Sequence, residues 1–188
     1  MALGAWRLMK MGIVVKQMKT VETLGSATVI CVDKTGTITE NKMSLARLFV
    51  LDSGAITEMR KDLTSSEVEL IRIAMFASEP IPYDPMEIAL HDAYFTSYTA
   101  DERPFYNLIH EYPLSGKPPM MTHFFENNEG KRIVAAKGAP ESILNVSDLD
   151  EKQKSKIVEA ISALGKVGYR LLGVAETEFE GTDFPGSQ

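Results

Sequence analysis

A mixed α/β fold follows from three features: strand-like alternation in the middle of the chain, capped amphipathic helices on either side of it, and one short, wholly apolar run near the start. Tyr106–Tyr112 and Met120–Phe125 alternate as strands do, and Asn127-Asn128-Glu129-Gly130 turns the chain into Arg132–Ala136, so an antiparallel hairpin is expected. Thr64-Ser65-Ser66-Glu67 has the form of a capping box. The run Ala27-Thr28-Val29-Ile30-Cys31-Val32 reads as a strand buried on both faces of a parallel sheet, with Asp33 at its carboxyl end, where open α/β sheets bind ligands.

In chain order, Ala2–Gly12 has a helical character with a Gly stop and includes Trp6 as a packing residue; Ile13-Val14-Val15 reads as a short strand. Val21–Ser26 is a short helix ended by Gly25. Leu45–Leu51 is a strand leading to a turn at Asp52-Ser53-Gly54. After Thr64 the apolar residues Leu70, Ile71, Ala74 and Met75 keep helical spacing. Asp84-Pro85-Met86-Glu87 opens a second helix, with Pro at its first position and Glu three residues after the cap, running to Tyr94. Pro140 and Glu141 open a short helix, and Asp148-Leu149-Asp150-Glu151 caps a longer one whose stripe is Ile157, Ala160, Ile161 and Leu164. Arg170–Ala175 is a closing strand, and the residues from Gly181 onward are a loop.

With 188 residues, 44% hydrophobic and 24% charged, the chain has an ordinary globular composition, enough for one or two compact domains. A net charge of −6 argues against nucleic acid as a partner. Cys31 is the single cysteine, which excludes an internal disulfide, fits a reducing compartment, and reads as a small core residue. His91, His110 and His123 show no metal-ligand spacing. No apolar stretch approaches the roughly 20 residues of a membrane-spanning helix, and the N-terminus has no secretory signal.

The chemistry concentrates at Asp33-Lys34-Thr35-Gly36-Thr37-Ile38-Thr39. A carboxylate is a nucleophile towards a phosphoryl group. Lys34 and the hydroxyls of Thr35 and Thr37 supply charge and donors for phosphate oxygens, while Gly36 lets the backbone come close. This stretch resembles the phosphorylation motif of P-type ATPases, the pumps that pass the γ-phosphate of ATP through an aspartyl-phosphate. Soluble phosphatases of the same haloacid-dehalogenase superfamily carry a second Asp two residues after the nucleophile, where this chain has Thr35. Losing that general base slows hydrolysis by roughly 100- to 10,000-fold, so the phosphoenzyme is expected to persist, as a pump requires.

Further stretches are similar to the family's nucleotide-binding domain, in the family's order. Val21-Glu22-Thr23-Leu24-Gly25 precedes the aspartate as the family's V-E-T-L-G does, and Thr39-Glu40-Asn41-Lys42-Met43 resembles its hinge entry. Asp84-Pro85-Met86-Glu87 is similar to G-D-P-T-E, which implies that Glu87 faces the adenine, although N3 of a capping box also explains it. Tyr112-Pro113-Leu114-Ser115-Gly116-Lys117 resembles F-x-x-x-x-K, giving Tyr112 a stacking role and Lys117 the base or the phosphates. Lys137-Gly138-Ala139-Pro140-Glu141 matches K-G-A-P-E; Lys137 is poorly placed for a solvated charge, and Gly138 allows close approach to a planar base. Gly168-Tyr169-Arg170-Leu171-Leu172 is like G-x-R-x-L, which implies that Arg170 grips a phosphate. Ala77-Ser78-Glu79-Pro80 only superficially resembles the S-E-H-P of heavy-metal pumps, and its His is missing. The balance favours the branch of calcium and related cation pumps.

The resemblance implies residues 1–43 as the N-terminal part of a Rossmann-like haloacid-dehalogenase phosphorylation domain. Residues 44–178 would be a nucleotide-binding domain of antiparallel sheet with packed helices, and 179–188 a tail returning towards the first domain. Cofactors are ATP and Mg²⁺, with Asp33 and the Thr35 carbonyl as metal ligands. The family's downstream T-G-D and G-D-G-x-N-D motifs are not in the chain, so the Mg²⁺ site is incomplete and the chain alone is expected to be inactive. Its partners would be the rest of the pump: membrane helices, actuator domain and the remaining phosphorylation domain. The location is the cytoplasmic face of a membrane, without direct membrane contact by these residues. Two alternatives are a soluble haloacid-dehalogenase-type phosphatase and a non-catalytic nucleotide-binding regulatory module. Lys137→Ala is expected to weaken ATP binding while barely changing stability.

Overall fold

The computed structural model describes residues 2–98, 100–116, 119–181 and 183–187. The chain divides into two units, Met1–Asn41 and Lys42–Gln188. The first unit holds two helices, α1 (Ala2–Lys10) and α2 (Met18–Gly25), which pack together. Trp6 is 49% exposed, with the Lys10 ammonium 4.0 Å over its ring, so it is a surface residue rather than a core one. Two expected strands are absent. Ile13–Val15 and Ala27–Val32 form no ladder, and Val29 and Ile30 stand 78% and 77% exposed. A strand of a parallel sheet is made by its neighbours, and among the described residues none pairs with this run. Cys31 is accordingly exposed.

The second unit is built on β3 (Tyr106–Ser115), β4 (Met120–Asn127), β5 (Arg132–Gly138) and β6 (Gly173–Thr177), antiparallel in that order. A separate two-stranded ribbon pairs β1 (Arg47–Val50) with β2 (Ala55–Glu58) across the turn that contains Gly54. One face of the large sheet carries α3 (Ser65–Phe76) and α4 (Pro85–Ser97), whose fully buried Phe76 and Tyr94 join Ile71, Phe125, Ile133 and Ala135 in the core. Phe76 meets Phe125 edge to face at 5.1 Å, the favoured arrangement of two ring quadrupoles. The sheet continues into α5 (Pro140–Val146), then α6 (Glu151–Lys166) before β6.

Two helices of the second unit open on complete capping boxes. Thr64 and Glu67 exchange bonds at the start of α3, and Asp150 and Gln153 do so at α6. Residues 179–181 and 183–187 lie against the sheet face opposite α3. Phe184 stacks on His110 at 4.2 Å, the Tyr112 hydroxyl donates to the Pro185 carbonyl, and Arg132 donates to the carbonyls of Phe179 and Gly181.

Candidate nucleotide site

Lys137 lies near the end of β5, paired with Met121 on β4 and Val174 on β6, and is 5% exposed. A buried ammonium must find acceptors. It donates to Glu87 Oε1 at 2.5 Å and to Ser78 Oγ at 3.0 Å, so its side chain leaves the sheet towards the connection between α3 and α4. Glu87 is 8% exposed and Ser78 1%. The Ser78 hydroxyl in turn donates to the Ala74 carbonyl at 2.8 Å.

Glu87 occupies N3 of α4, yet its carboxylate does not close a capping box. Asp84 caps the helix through the Met86 amide at 2.8 Å, and Glu87 Oε1 instead accepts from the Glu79 amide at 3.2 Å and from Lys137. Helix geometry delivers the residue, and the buried lysine takes its charge.

His91, one turn further along α4, is 4% exposed, with Nδ1 3.2 Å from Arg103 Nη1. Burial first, then the Arg103 charge, push its pKa below the ordinary histidine value, so the ring stays neutral and accepts from the guanidinium. Arg103 itself is gripped by Asp101.

The other expected site residues go elsewhere. Tyr112 pairs with Thr122 and Lys137 with Met121, so Tyr112 faces away from the Lys137 side; its ring sits against His110 and Phe124. The register then slips. Tyr112 opposes Thr122 and Ser115 opposes Met120, leaving Pro113 and Leu114 opposite Met121 alone. Such a bulge re-aims side chains, and it brings Leu114, 62% exposed, opposite the strand position next to Lys137. Arg170 is exposed ahead of β6 and lines, with Tyr112, Thr122, Phe124 and Ala136, an open groove of about 1210 Å³. Lys117 lies outside the described residues.

Gly138 is required by the fold itself. A Cβ there would meet the Pro119 carbonyl oxygen at 2.5 Å and Met120 Cα at 2.6 Å, so the glycine admits the β4 backbone. Ser78 was missed in the sequence because its only resemblance was rejected. Its position directly after the apolar end of a helix was the available signal.

Asp33 through Thr39 are all exposed. The motif forms a wide turn, closed by the Thr39 amide on the Lys34 carbonyl at 3.0 Å, with Gly36 at φ +75°. Among the described residues the one cluster of three or more metal-capable side chains lies at Glu79, Glu111 and His123, and it does not include Asp33. One carboxylate and one carbonyl are a poor fit to an octahedral Mg²⁺ site.

Residues 80–188 match the family model described as P-type ATPase, cytoplasmic domain N, a span that includes Glu87, Lys137 and Arg170. The chain belongs to the P-type ATPases. It is 29% identical to calcium-transporting ATPase 1 of Saccharomyces cerevisiae, over 98% of this chain and 24% of the relative. It is 27% identical to calcium-transporting ATPase 1 of Bacillus cereus, over 97% of this chain and 22% of the relative. It is 31% identical to the sodium/potassium-transporting ATPase subunit alpha-4 of Rattus norvegicus, over 92% of this chain and 20% of the relative. This P-type ATPase chain therefore spans a fifth to a quarter of the length of those relatives. No helix among the described residues is long and apolar enough to cross a membrane.

Proposed function

We propose that this chain binds ATP for a P-type cation pump, taking the adenine against the Lys137–Glu87 pair. The supporting observation is the pair itself. Two opposite charges 2.5 Å apart in a buried position stabilise a fold no better than apolar residues of the same volume, so the pair fits a role in recognition. Lys137 uses two of its three donors on Glu87 and Ser78, which leaves one for a base nitrogen. Glu87 offers a carboxylate acceptor suited to adenine's amino group.

The intact protein would sit at the cytoplasmic face of a membrane, where the rest of the pump supplies membrane helices, an actuator domain and the remaining phosphorylation domain. Residues 44–178 would be its nucleotide-binding domain. The γ-phosphate would pass to Asp33, with Lys34, Thr35 and Thr37 holding its oxygens; Mg²⁺ is assigned no step, because the residues present do not assemble its site. Relatives named for calcium and for sodium and potassium support a cation as cargo.

An NMR titration tests the binding. ATP without Mg²⁺ should shift the resonances of Ser78, Glu87 and Lys137 with a Kd of roughly 10 μM to 1 mM. No shift at several millimolar ATP would overturn the assignment. The same chain, incubated with γ-labelled ATP, should acquire no acid-stable, hydroxylamine-labile label, because Asp33 lacks the fixed charges that stabilise a transferring phosphoryl group. Stoichiometric labelling would contradict this.

A further inference from the structure

We propose that Glu79, Glu111 and His123 form a binding site for a divalent transition metal of the Zn²⁺ class, independent of the nucleotide assignment. One ligand atom from each of these residues lies within 4.8 Å of the others. The three come from separate elements: Glu111 from β3, His123 from β4, and Glu79 from the connection between α3 and α4. Glu111 and His123 are direct cross-strand partners, which places their side chains side by side on one face of the sheet.

The imidazole points to a ligand on its own account. His123 is 0% exposed, and its Nδ1 lies 3.2 Å from the Phe76 carbonyl. A carbonyl only accepts, so Nδ1 carries the proton and Nε2 is left with a lone pair. That Nε2 is buried and has no hydrogen-bond partner. A backbone carbonyl holding one ring nitrogen while the other is presented as a Lewis base is the arrangement that orients metal-binding histidines.

Two carboxylates brought this close to one imidazole repel one another until a cation joins them. Lys137, on the same face of the sheet, is committed to Glu87 and Ser78. Glu79 is anchored by its amide on Glu87, while its half-buried carboxylate and the exposed one of Glu111 can swing. Tetrahedral bonds of about 2.0–2.2 Å bring ligand atoms to roughly 3.4 Å apart, a small closure from the separations present. One imidazole nitrogen with two carboxylate oxygens suits Zn²⁺ and its neighbours rather than Mg²⁺ or Ca²⁺, which take oxygen ligands. Three protein ligands leave the remaining position to water.

The test is calorimetric titration of Zn²⁺ alone into the full chain carrying Cys31→Ser, which removes the exposed thiol as a competitor, with histidine ¹⁵N spectra recorded alongside. One ion should bind per chain, moving His123 Nε2 while Nδ1 stays protonated. Glu79→Gln and Glu111→Gln should each weaken binding by about tenfold or more. Both sit where the fold tolerates them, whereas His123 is too buried for a clean substitution. The proposal is overturned by no binding at millimolar Zn²⁺, by binding that shifts His91 or His110 instead of His123, or by an affinity that both glutamine variants leave unchanged.

Discussion

Asp33 and Lys137 each stand at the end of an apolar run, and the two runs have opposite fates. Ala27–Val32 is exposed and unpaired among the described residues, whereas Ile133–Ala136 pairs with β4 and, from Val134 onward, with β6 as well, with Val134 and Ala135 3% and 0% exposed. Similar residues therefore make a strand in one place and not in the other. Strand propensity measures how well side chains fit a pleated, half-buried surface, and a surface must exist before they can fit it. The charge at the end of each run follows suit: Asp33 faces solvent, while Lys137 is enclosed with Glu87 and Ser78.

The largest expected effect sharpens that contrast. Lys137→Ala leaves Glu87 as a buried charge without its partner and should cost about 3–5 kcal/mol of stability, against the sequence expectation of little change. Asp33→Ala, at an exposed turn, should stay within about 0.5 kcal/mol. Urea denaturation of both variants measures the difference, and equal costs would break the comparison.

Two glycines give the next effect. Gly138→Ala forces a methyl into the β4 backbone and should cost about 1–3 kcal/mol by overpacking. A Cβ at Gly36 meets nothing within 4 Å, so Gly36→Ala acts only through its left-handed backbone, and the melting of the β3–β6 sheet should not move. Thermal melting of each variant tests this.

The smallest effect concerns acid. The Glu67 carboxylate accepts from Thr57, from the Thr64 amide and from Arg60, and these bonds, Thr57's foremost, hold its pKa down to about 2. A carboxylate depressed in the folded state stabilises above its unfolded pKa and loses that contribution as pH falls through the folded one. The share of stability owed to Glu67 should therefore disappear between about pH 4.5 and 2. Glu67→Gln should flatten that part of the stability profile, which denaturation midpoints measured across the range would show.

Local signals were the legible part of the sequence. The box at Thr64, the cap within Asp148–Glu151, the turn at Asn127–Gly130 and the stripe of α6 depend on residues a few positions apart, and all formed. What could not be read were consequences of distant pairing. The β3 bulge sets Pro113 and Leu114 against Met121, which no residue count from Tyr112 announces. Ser78 enters the site only because Lys137, 59 positions away, reaches it. The three histidines lack metal spacing in sequence, yet β3–β4 pairing sets Glu111 beside His123. The aspartate motif was the most specific stretch of the chain and is exposed throughout, because its specificity belongs to chemistry rather than to packing within residues 2–41.

The central claim, that nucleotide recognition rests on the buried pair and not on the aspartate, is tested most directly by ATP affinity in two variants. Glu87→Gln/Lys137→Met removes both charges together and so leaves neither uncompensated; circular dichroism confirms that it is folded. Asp33→Asn removes the nucleophile's charge. Calorimetric titration should find ATP binding at least about tenfold weaker in the double variant, the loss expected when a charged hydrogen-bonding pair is removed, and unchanged in Asp33→Asn. An unchanged affinity in the folded double variant, or a loss confined to Asp33→Asn, would contradict the claim.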